Sequence, residues 1–541
     1  MGLRFSTAVV ALALVLAVRS GAGADPPKLA VVIVVDQMRA DYVERFQRNW
    51  SSGLKRMVTR GAWFTKAAYP FLNTVTCAGH ATIATGTFPS THGIMQNVWF
   101  DRDRRMVVSC TEDASVSNLP PHATGSGGDS AAKLLVPTFA EEMKRQRGAR
   151  VVSLSLKPRS AIMLAGQSGD AVTWLSEASP DHWETSTAFT PTPVAEVTAY
   201  SAAHPIDADF RRRWDRLLPT PVYGGEDAGL GEAPPSGWTR RFPHVLSGKP
   251  GERQPGPAYY AQWERSPYAD AYLGKMAAAL VESMHLGSRA ETDVLAISFS
   301  TPDLLGHGFG PRSQEIQDLF AQLDRTLGVL LDRLDALVGS GKYVVALTSD
   351  HGVSAIPEQL QADGRDGGRL DGAGIRSAID GAAQAALGPG LYVTRIVGND
   401  IYLANGTLDR LLERPEALDA VLKATARRPG IERVFQAREL ASGAASDDAL
   451  LRAAALSFFP GRSGDLVIAP KSGWMTAAAG TTHGSANADD QRVPILFFGS
   501  GIKPGRYDGA ATPADIAPTL ADICGITLSH AQGTVLRAAR N

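Results

Sequence analysis

The sequence predicts an α/β protein with a largely parallel central sheet, helices on both faces and a smaller lobe inserted late in the chain. Three observations predict it. Five runs, at 28–35, 149–156, 294–300, 342–349 and 493–499, are continuously apolar and rich in β-branched residues, as strands buried on both faces are. Between the third and fourth runs, Ile316, Leu319, Phe320, Leu323, Leu327, Leu330, Leu331, Leu334 and Leu337 recur at spacings of three and four, so strand, crossover helix and strand make a βαβ unit. At 541 residues the chain also exceeds the size at which a single core stops growing, so it should form one large core with insertions, or two domains.

Taken in order, the first 24 residues read as a cleavable secretory leader. Arg4 precedes an apolar run that ends at Ala22, Gly23 and Ala24, a small-residue cleavage pattern. The run is short for a bilayer span and is broken by Arg19, which argues against a retained anchor. No later stretch is apolar over a spanning length, so the expected location is periplasmic or secreted, with no stable membrane span after cleavage. The chain contains only Cys77, Cys110 and Cys524. That count allows at most one bridge, leaves its pairing open, and excludes a cysteine-based zinc site.

The first strand ends abruptly at Asp36. Residues 70–97 are Thr-rich and punctuated by glycine, a turn leading into a helix that starts near Thr76. A hydroxyl there is either a helix cap or, beside a metal, a nucleophile at a helix end that favours anions. The second strand runs into Lys157, Pro158 and Arg159. Two apart in an extended chain, the basic residues would face one way, Arg as a bidentate fork and Lys as a point charge for phosphate.

Residues 180–265 are rich in Pro, Trp and Gly and read as a loop-rich excursion over the surface. Residues 353–470 read as the inserted lobe, with one strand candidate at "LYVTRIVGNDIYLA" and a helical stretch after it. Asn49 and Asn405 begin glycosylation-type triplets of little weight. Lys plus Arg, 54, balance Asp plus Glu, 55, for a net charge of −1, so nothing recommends nucleic acid as a partner. With 44% hydrophobic and 20% charged residues, the chain is not disordered in the main.

Metal-ligating side chains then gather at strand ends. Asp303 and His307 in "PDLLGHGFGP" are four apart, as on one helical face, although the glycines suggest a tight loop that would serve equally. Asp350 and His351 in "TSDHG" are adjacent and could share a metal only from an irregular turn, which Gly352 would permit. Asp36 and His483 supply further ligands. In parallel sheets, sites form beyond the carboxyl ends of the strands, where Asp36, Asp303 and Asp350 all fall. Asp and His together suit Zn²⁺, with three protein ligands and an open position as in catalytic sites.

The chain resembles the alkaline phosphatase superfamily, and within it the bacterial alkaline phosphatases with a threonine nucleophile that stand close to the nucleotide pyrophosphatase/phosphodiesterases. The resemblance runs in order through "VVIVVDQMRADYVERF", "TVTCAGHATIATGTFPSTHGI", "SLKPRSAIMLAG", "PDLLGHGFGP", "TSDHG" and "GTTHGS". It implies two Zn²⁺ per chain, one held by Asp303, His307 and His483, the other by Asp36, Asp350 and His351, with Thr76 as the nucleophile that binds this second zinc through its oxygen. It also implies that Asn97, Lys157 and Arg159 hold the phosphoryl oxygens, and that His80 is not a ligand.

The reaction expected is hydrolysis of small phosphate monoesters through a phosphothreonine intermediate. The alternative on the same fold is a phosphodiesterase or nucleotide pyrophosphatase, with the 180–265 segment supplying a pocket for the second substituent. A sulfatase is disfavoured because Cys77 lacks the downstream Pro and Arg of the formylglycine motif. A binding module without catalysis would be expected to lack Thr76, a ligand or the Lys/Arg pair.

Overall fold

The computed structural model describes residues 25–120, 127–177 and 179–541, and the leader expected over residues 1–24 lies outside them. Ten strands form the central sheet: β1 (Leu29–Val35), β2 (Ala62–Ala67), β3 (Asn118–Leu119), β4 (Val151–Ser155), β5 (Ala171–Leu175), β6 (Trp183–Ser186), β7 (Asp293–Phe299), β8 (Tyr343–Thr348), β9 (Ile495–Gly499) and β10 (Gly505–Ala511). Their order is β10-β2-β9-β8-β1-β7-β4-β5-β6-β3. The middle five, β8 to β5, run parallel. Antiparallel pairing of β9 with β8 and of β6 with β5 flanks them. Each of the five runs read from the sequence is a strand within two residues of its expected ends.

Every residue of β1 is buried, and its side chains alternate between two cores. Val31, Ile33 and Val35 pack on one face with the leucines of the crossover helix, while Ala30, Val32 and Val34 pack on the other with Ile83 and Leu520. That two-sided burial is why the run carries no polar alternation. The helices that matter below are α1 (Thr76–Thr85), α2 (Pro158–Ala165), α3 (Thr301–Phe309) and α4 (Gln314–Leu334), the crossover helix. Leu337 falls just past α4, in a wider turn at Asp335–Gly339.

Register decides where the site forms. Val34 pairs with Ser298 on β7 and Thr348 on β8, and Ser298 pairs with Ser155 on β4. The carboxyl ends of four parallel strands are therefore level, and the residues following them emerge at one edge.

One expectation is sharpened and one needs correction. The 180–265 segment is loop-rich and largely exposed, as read, but it is anchored. Trp214, Tyr259 and Trp263 are fully buried, and Trp214 Nε1 donates to Asp318 Oδ2 on α4 at 2.7 Å, which pins the segment to the crossover helix. The run "LYVTRIVGNDIYLA" is not one strand. Gly398, at φ 55°, turns it into a hairpin of Val393–Val397 and Asp400–Leu403. The hairpin belongs to a four-stranded antiparallel sheet completed by Leu466–Pro470 and Ile431–Gln436, with the helices Gly372–Leu387 and Pro415–Ala426 packed on it. No helix among the described residues is long and apolar enough to cross a membrane.

Candidate metal centre

Two clusters of three potential ligands lie at the carboxyl edge of the sheet: Asp36 with Asp350 and His351, and Asp303 with His307 and His483. Within each, one donor atom per residue lies within 4.8 Å of the others. Asp36 directly follows β1, and Asp350 and His351 leave the end of β8 in an irregular turn. Gly352 is needed there, since a Cβ would stand 2.1 Å from the Asp489 carbonyl oxygen.

Asp303 and His307 lie on a helix rather than in the tight loop that their glycines suggested. They share a face of α3, with His307 Nε2 3.1 Å from Asp303 Oδ1. The glycine has another purpose. A Cβ on Gly306 would stand 2.0 Å from Gln37 Oε1, and Gln37 Nε2 donates to Asp303 Oδ1 at 2.6 Å. Gly306 thus makes room for the amide that orients Asp303. Gln37, held at φ 66°, also donates its backbone N–H to Asp350 Oδ1 at 3.2 Å, tying one cluster to the other. Sequence reasoning passed over Gln37, whose only signal is its place beside Asp36.

The three imidazoles are oriented alike. Nδ1 of His307, His351 and His483 lies against the carbonyl oxygens of Thr481, Gly352 and Thr74 at 2.9, 3.0 and 2.8 Å. Donation from Nδ1–H fixes the tautomer and leaves the Nε2 lone pair facing the cluster, the arrangement of a metal-ligating histidine. Asp36 Oδ1 and Asp350 Oδ2 are buried and accept no hydrogen bond. A buried carboxylate oxygen without a donor is costly unless a cation serves it, so the cluster of Asp36, Asp350 and His351 fits a metal ion, and Asp303, His307 and His483 offer a second candidate donor set beside it.

Electrostatics agrees. Burial pushes the Asp36 carboxyl well above the usual carboxylate range, with Asp303 and Asp350 adding to the rise and Lys157 opposing it. Burial acts on Asp303 too, but His307 and Lys157 outweigh it and hold that carboxyl well below the usual range. Burial lowers the His351 imidazole to about 3 against the pull of Asp350, which keeps the ring neutral as a ligand must be. The clusters touch through the His351 and His483 rings, stacked with centroids 3.4 Å apart.

Thr76 is the first residue of α1 and is buried. Val75 occupies the cap position without a side-chain cap bond, so Thr76 is not an N-cap, and its Oγ lies 3.5 Å from His351 Nε2. Gly79, one turn on, lets α1 rest against Asp350, whose carbonyl oxygen would stand 2.1 Å from any Cβ there. His80 contacts the Thr76 carbonyl and Ser298 Oγ, each at 2.8 Å, and its Nδ1 is 3.3 Å from Asp350 Oδ2, a bracing position outside both clusters. Cys77 is bonded to Cys110, which removes it from thiol chemistry, and Cys524 is free and buried.

Lys157 Nζ stands between the clusters, 2.6 Å from Asp36 Oδ2 and 2.5 Å from Asp303 Oδ2. It is not in a shared extended stretch with Arg159. Lys157 caps α2, Pro158 opens the helix, and Arg159 lies inside it with Nη1 3.8 Å from Glu177 Oε1. Asn97 accepts the Cys77 N–H on Oδ1 at 2.8 Å.

Comparison with known proteins then bears on the arrangement. The family model for type I phosphodiesterase / nucleotide pyrophosphatase matches residues 30–490. The chain is similar to alkaline phosphatase PhoK of Sphingomonas sp, 34% identical over 92% of this chain and 88% of the relative. It is also similar to alkaline phosphatase PafA of Elizabethkingia meningoseptica, 29% identical over 92% of each. The crystal structure of wild-type PafA superposes with a TM-score of 0.87 at 28% identity, over 96% of this chain and all of that one. A PafA variant with one Thr, one Asn, one Lys and one Arg replaced has also been solved.

Proposed function

We propose, because this chain belongs to the type I phosphodiesterase / nucleotide pyrophosphatase family, that Asp36, Asp350 and His351 would hold one Zn²⁺ ion and Asp303, His307 and His483 another. The chain is an alkaline phosphatase, a hydrolase that converts phosphate monoesters to an alcohol and inorganic phosphate. When bound, the cations supply Lewis-acid stabilisation to the attacking and leaving oxygens.

The chain's own residues do the rest. Thr76 Oγ, at the start of a buried helix, attacks phosphorus in line. An Oγ–P bond forms as the ester P–O bond breaks, and the hydroxyl proton ends on the released alcohol. Water then cleaves the phosphothreonine, which restores the hydroxyl and yields phosphate. The N-terminus of α1 and the amide hydrogens of Asn97 face the equatorial oxygens, where charge gathers in the transition state. Lys157 and Arg159 complement the two charges of a monoester.

The position of Lys157 carries the monoester reading. A diester phosphoryl bears one charge and an extra substituent, so a second cationic side chain beside the clusters, added to Arg159, suits it less well than a dianion. The four residue types replaced in the PafA variant are those of Thr76, Asn97, Lys157 and Arg159. The leader expected over residues 1–24 and the Cys77–Cys110 bridge support action outside the reducing cytoplasm, in the periplasm or beyond the cell.

Comparing kcat/KM for an aryl phosphate and its methyl diester tests the reading. A marked monoester preference is expected, and a diester preference would overturn it. Undiminished hydrolysis by Thr76→Ala would overturn the covalent route.

A further inference from the structure

The inserted lobe reaches the site through one hairpin tip. Asn399, just past the turn at Gly398, donates from Nδ2 to Asn73 Oδ1 at 3.0 Å and to the Gly484 carbonyl at 2.7 Å. Its neighbour Asp400 accepts from Gln96 Nε2 on one oxygen at 3.1 Å and from the Gly464 N–H on the other at 2.7 Å. Asn399, Asp400, Asn73 and Gln96 are all buried.

The partners are not a random sample of the core. Asn73 lies three residues before Thr76, Gln96 immediately precedes Asn97, and Gly484 immediately follows His483. The three segments also bond to one another, since Nδ1 of His483 lies 2.8 Å from the Thr74 carbonyl and Asn73 Nδ2 donates to the Met95 carbonyl at 3.4 Å. The tip is fixed from behind by Ile468 N–H, which donates to the Asn399 carbonyl at 2.9 Å. A single rigid turn therefore sets the spacing of three segments that no regular secondary structure joins.

We propose that Asn399 and Asp400 are positioning residues for phosphoryl transfer, through which the inserted lobe holds Thr76, Asn97 and His483 at their mutual spacing. The inference rests on the roles assigned to Thr76 and Asn97 above. It gives the lobe a part in catalysis without contact with substrate. A network that only fastened the lobe to the core would affect stability alone. One that sets geometry affects turnover, because misplacement of reacting groups by about 1 Å costs up to roughly 10²-fold.

The test uses the full-length, metal-loaded enzyme with an aryl phosphate. Asn399→Ala and Asp400→Ala should each lower kcat by roughly 10–100-fold while KM changes little. Asp400→Asn should stay near wild type, since its oxygen still accepts from Gly464 and the Gln96 amide can turn to pair with its NH₂. Asn97→Ala combined with Asn399→Ala should lose less than the product of the single losses, because both act on one contact. Thr425→Ala removes a buried bond made within its own lobe helix and serves as the stability control, with kcat expected to hold.

Retention of kcat by Asn399→Ala, or an equal kcat loss in Thr425→Ala, overturns the proposal. Should Asn399→Ala not fold, Asn399→Ser keeps one donor and carries the same expectation at smaller amplitude. Thr76→Ala is assayed alongside. Activity surviving there sinks the underlying reading, whereas activity lost there but kept in Asn399→Ala sinks only this one.

Discussion

The backbone N–H of Cys77 donates to Asn97 Oδ1 at 2.8 Å, so the residue after the proposed nucleophile, Thr76, fixes which end of the Asn97 amide faces the site. With the oxygen occupied, the NH₂ is the end left to meet a phosphoryl oxygen. Asn97→Asp keeps the acceptor for Cys77 but replaces both donors by negative charge. It should lower kcat/KM for monoesters by roughly 10²–10³, the usual cost of one lost transition-state donor. Equal kcat/KM for wild type and Asn97→Asp on an aryl phosphate would remove Asn97 from the site.

Removal of metal should be visible in stability as well as in turnover. Asp36, Asp303 and Asp350 are buried together, with the Lys157 ammonium bonded to Asp36 and Asp303. Chelation should abolish hydrolysis and lower Tm, and Zn²⁺ should restore both, since an ion bound only to the folded state stabilises it. Elemental analysis should give two metal ions per chain. A Tm indifferent to chelator would argue against ligation by the clusters.

The Cys77–Cys110 bridge closes a loop with a sequence separation of 33 residues. Cys110→Ser should cost about 2–4 kcal/mol by relaxing the unfolded chain. Because Cys77 adjoins Thr76, kcat should fall too, and reductant should leave the variant unchanged while destabilising the wild type. Denaturant titration with and without reductant reads both effects.

Stability should decline toward alkaline pH, and Glu315 is one of the buried carboxyls, with Glu232 and Asp270, whose raised ionisation contributes to the fall. Burial pushes Glu315 up from its ordinary 4.5 to about 8, beside His244, whose Nε2 lies 2.9 Å from Glu315 Oε1. The folded carboxyl holds its proton more tightly than the unfolded one. Its contribution is therefore whole below pH 4.5 and is lost as pH rises through about 8. Glu315→Gln should flatten the fall in Tm between about pH 5 and about pH 9. An unchanged slope would show that Glu315 ionises freely in the fold.

Replacing Gly79 by Ala should be worse than an ordinary helix substitution, which for Gly to Ala is normally stabilising. The new methyl would stand 2.1 Å from the Asp350 carbonyl, so α1 must move away from the first cluster. A loss of roughly 1–3 kcal/mol is expected, with activity falling further than Tm alone would suggest.

Much of this was legible in the sequence, for identifiable reasons. A strand buried on both faces needs an unbroken apolar run, so "KLAVVIVV" announced β1, and a crossover helix with one buried face announced α4. Ligand pairs such as Asp350 and His351 were visible because they are adjacent in the chain. Tertiary approach was not visible. The glycine at 306 looked like a helix breaker because nothing local says that Gln37 must pass there. Lys157 and Arg159 looked like two teeth on an extended strand because the helix start at Pro158 was read as a mere restriction. The tryptophans of the 180–265 segment sit between turn formers, so their burial against α4 left no periodic trace. The hairpin tip at Asn399 was missed because its partners, Gly484 and Asn73, lie 85 and 326 positions away.

The clusters draw on the chain from Asp36 to His483, and each of the two needs a residue from a distant strand end or loop. On a ribosome, the second cluster stays one ligand short until residue 483 has been made and has folded back across the sheet. On the proposed reading, hydrolysis is thus a late event in the life of the molecule, because it waits on the last of the proposed ligands to be made. An activity measurement on this protein is also a measurement of completed folding.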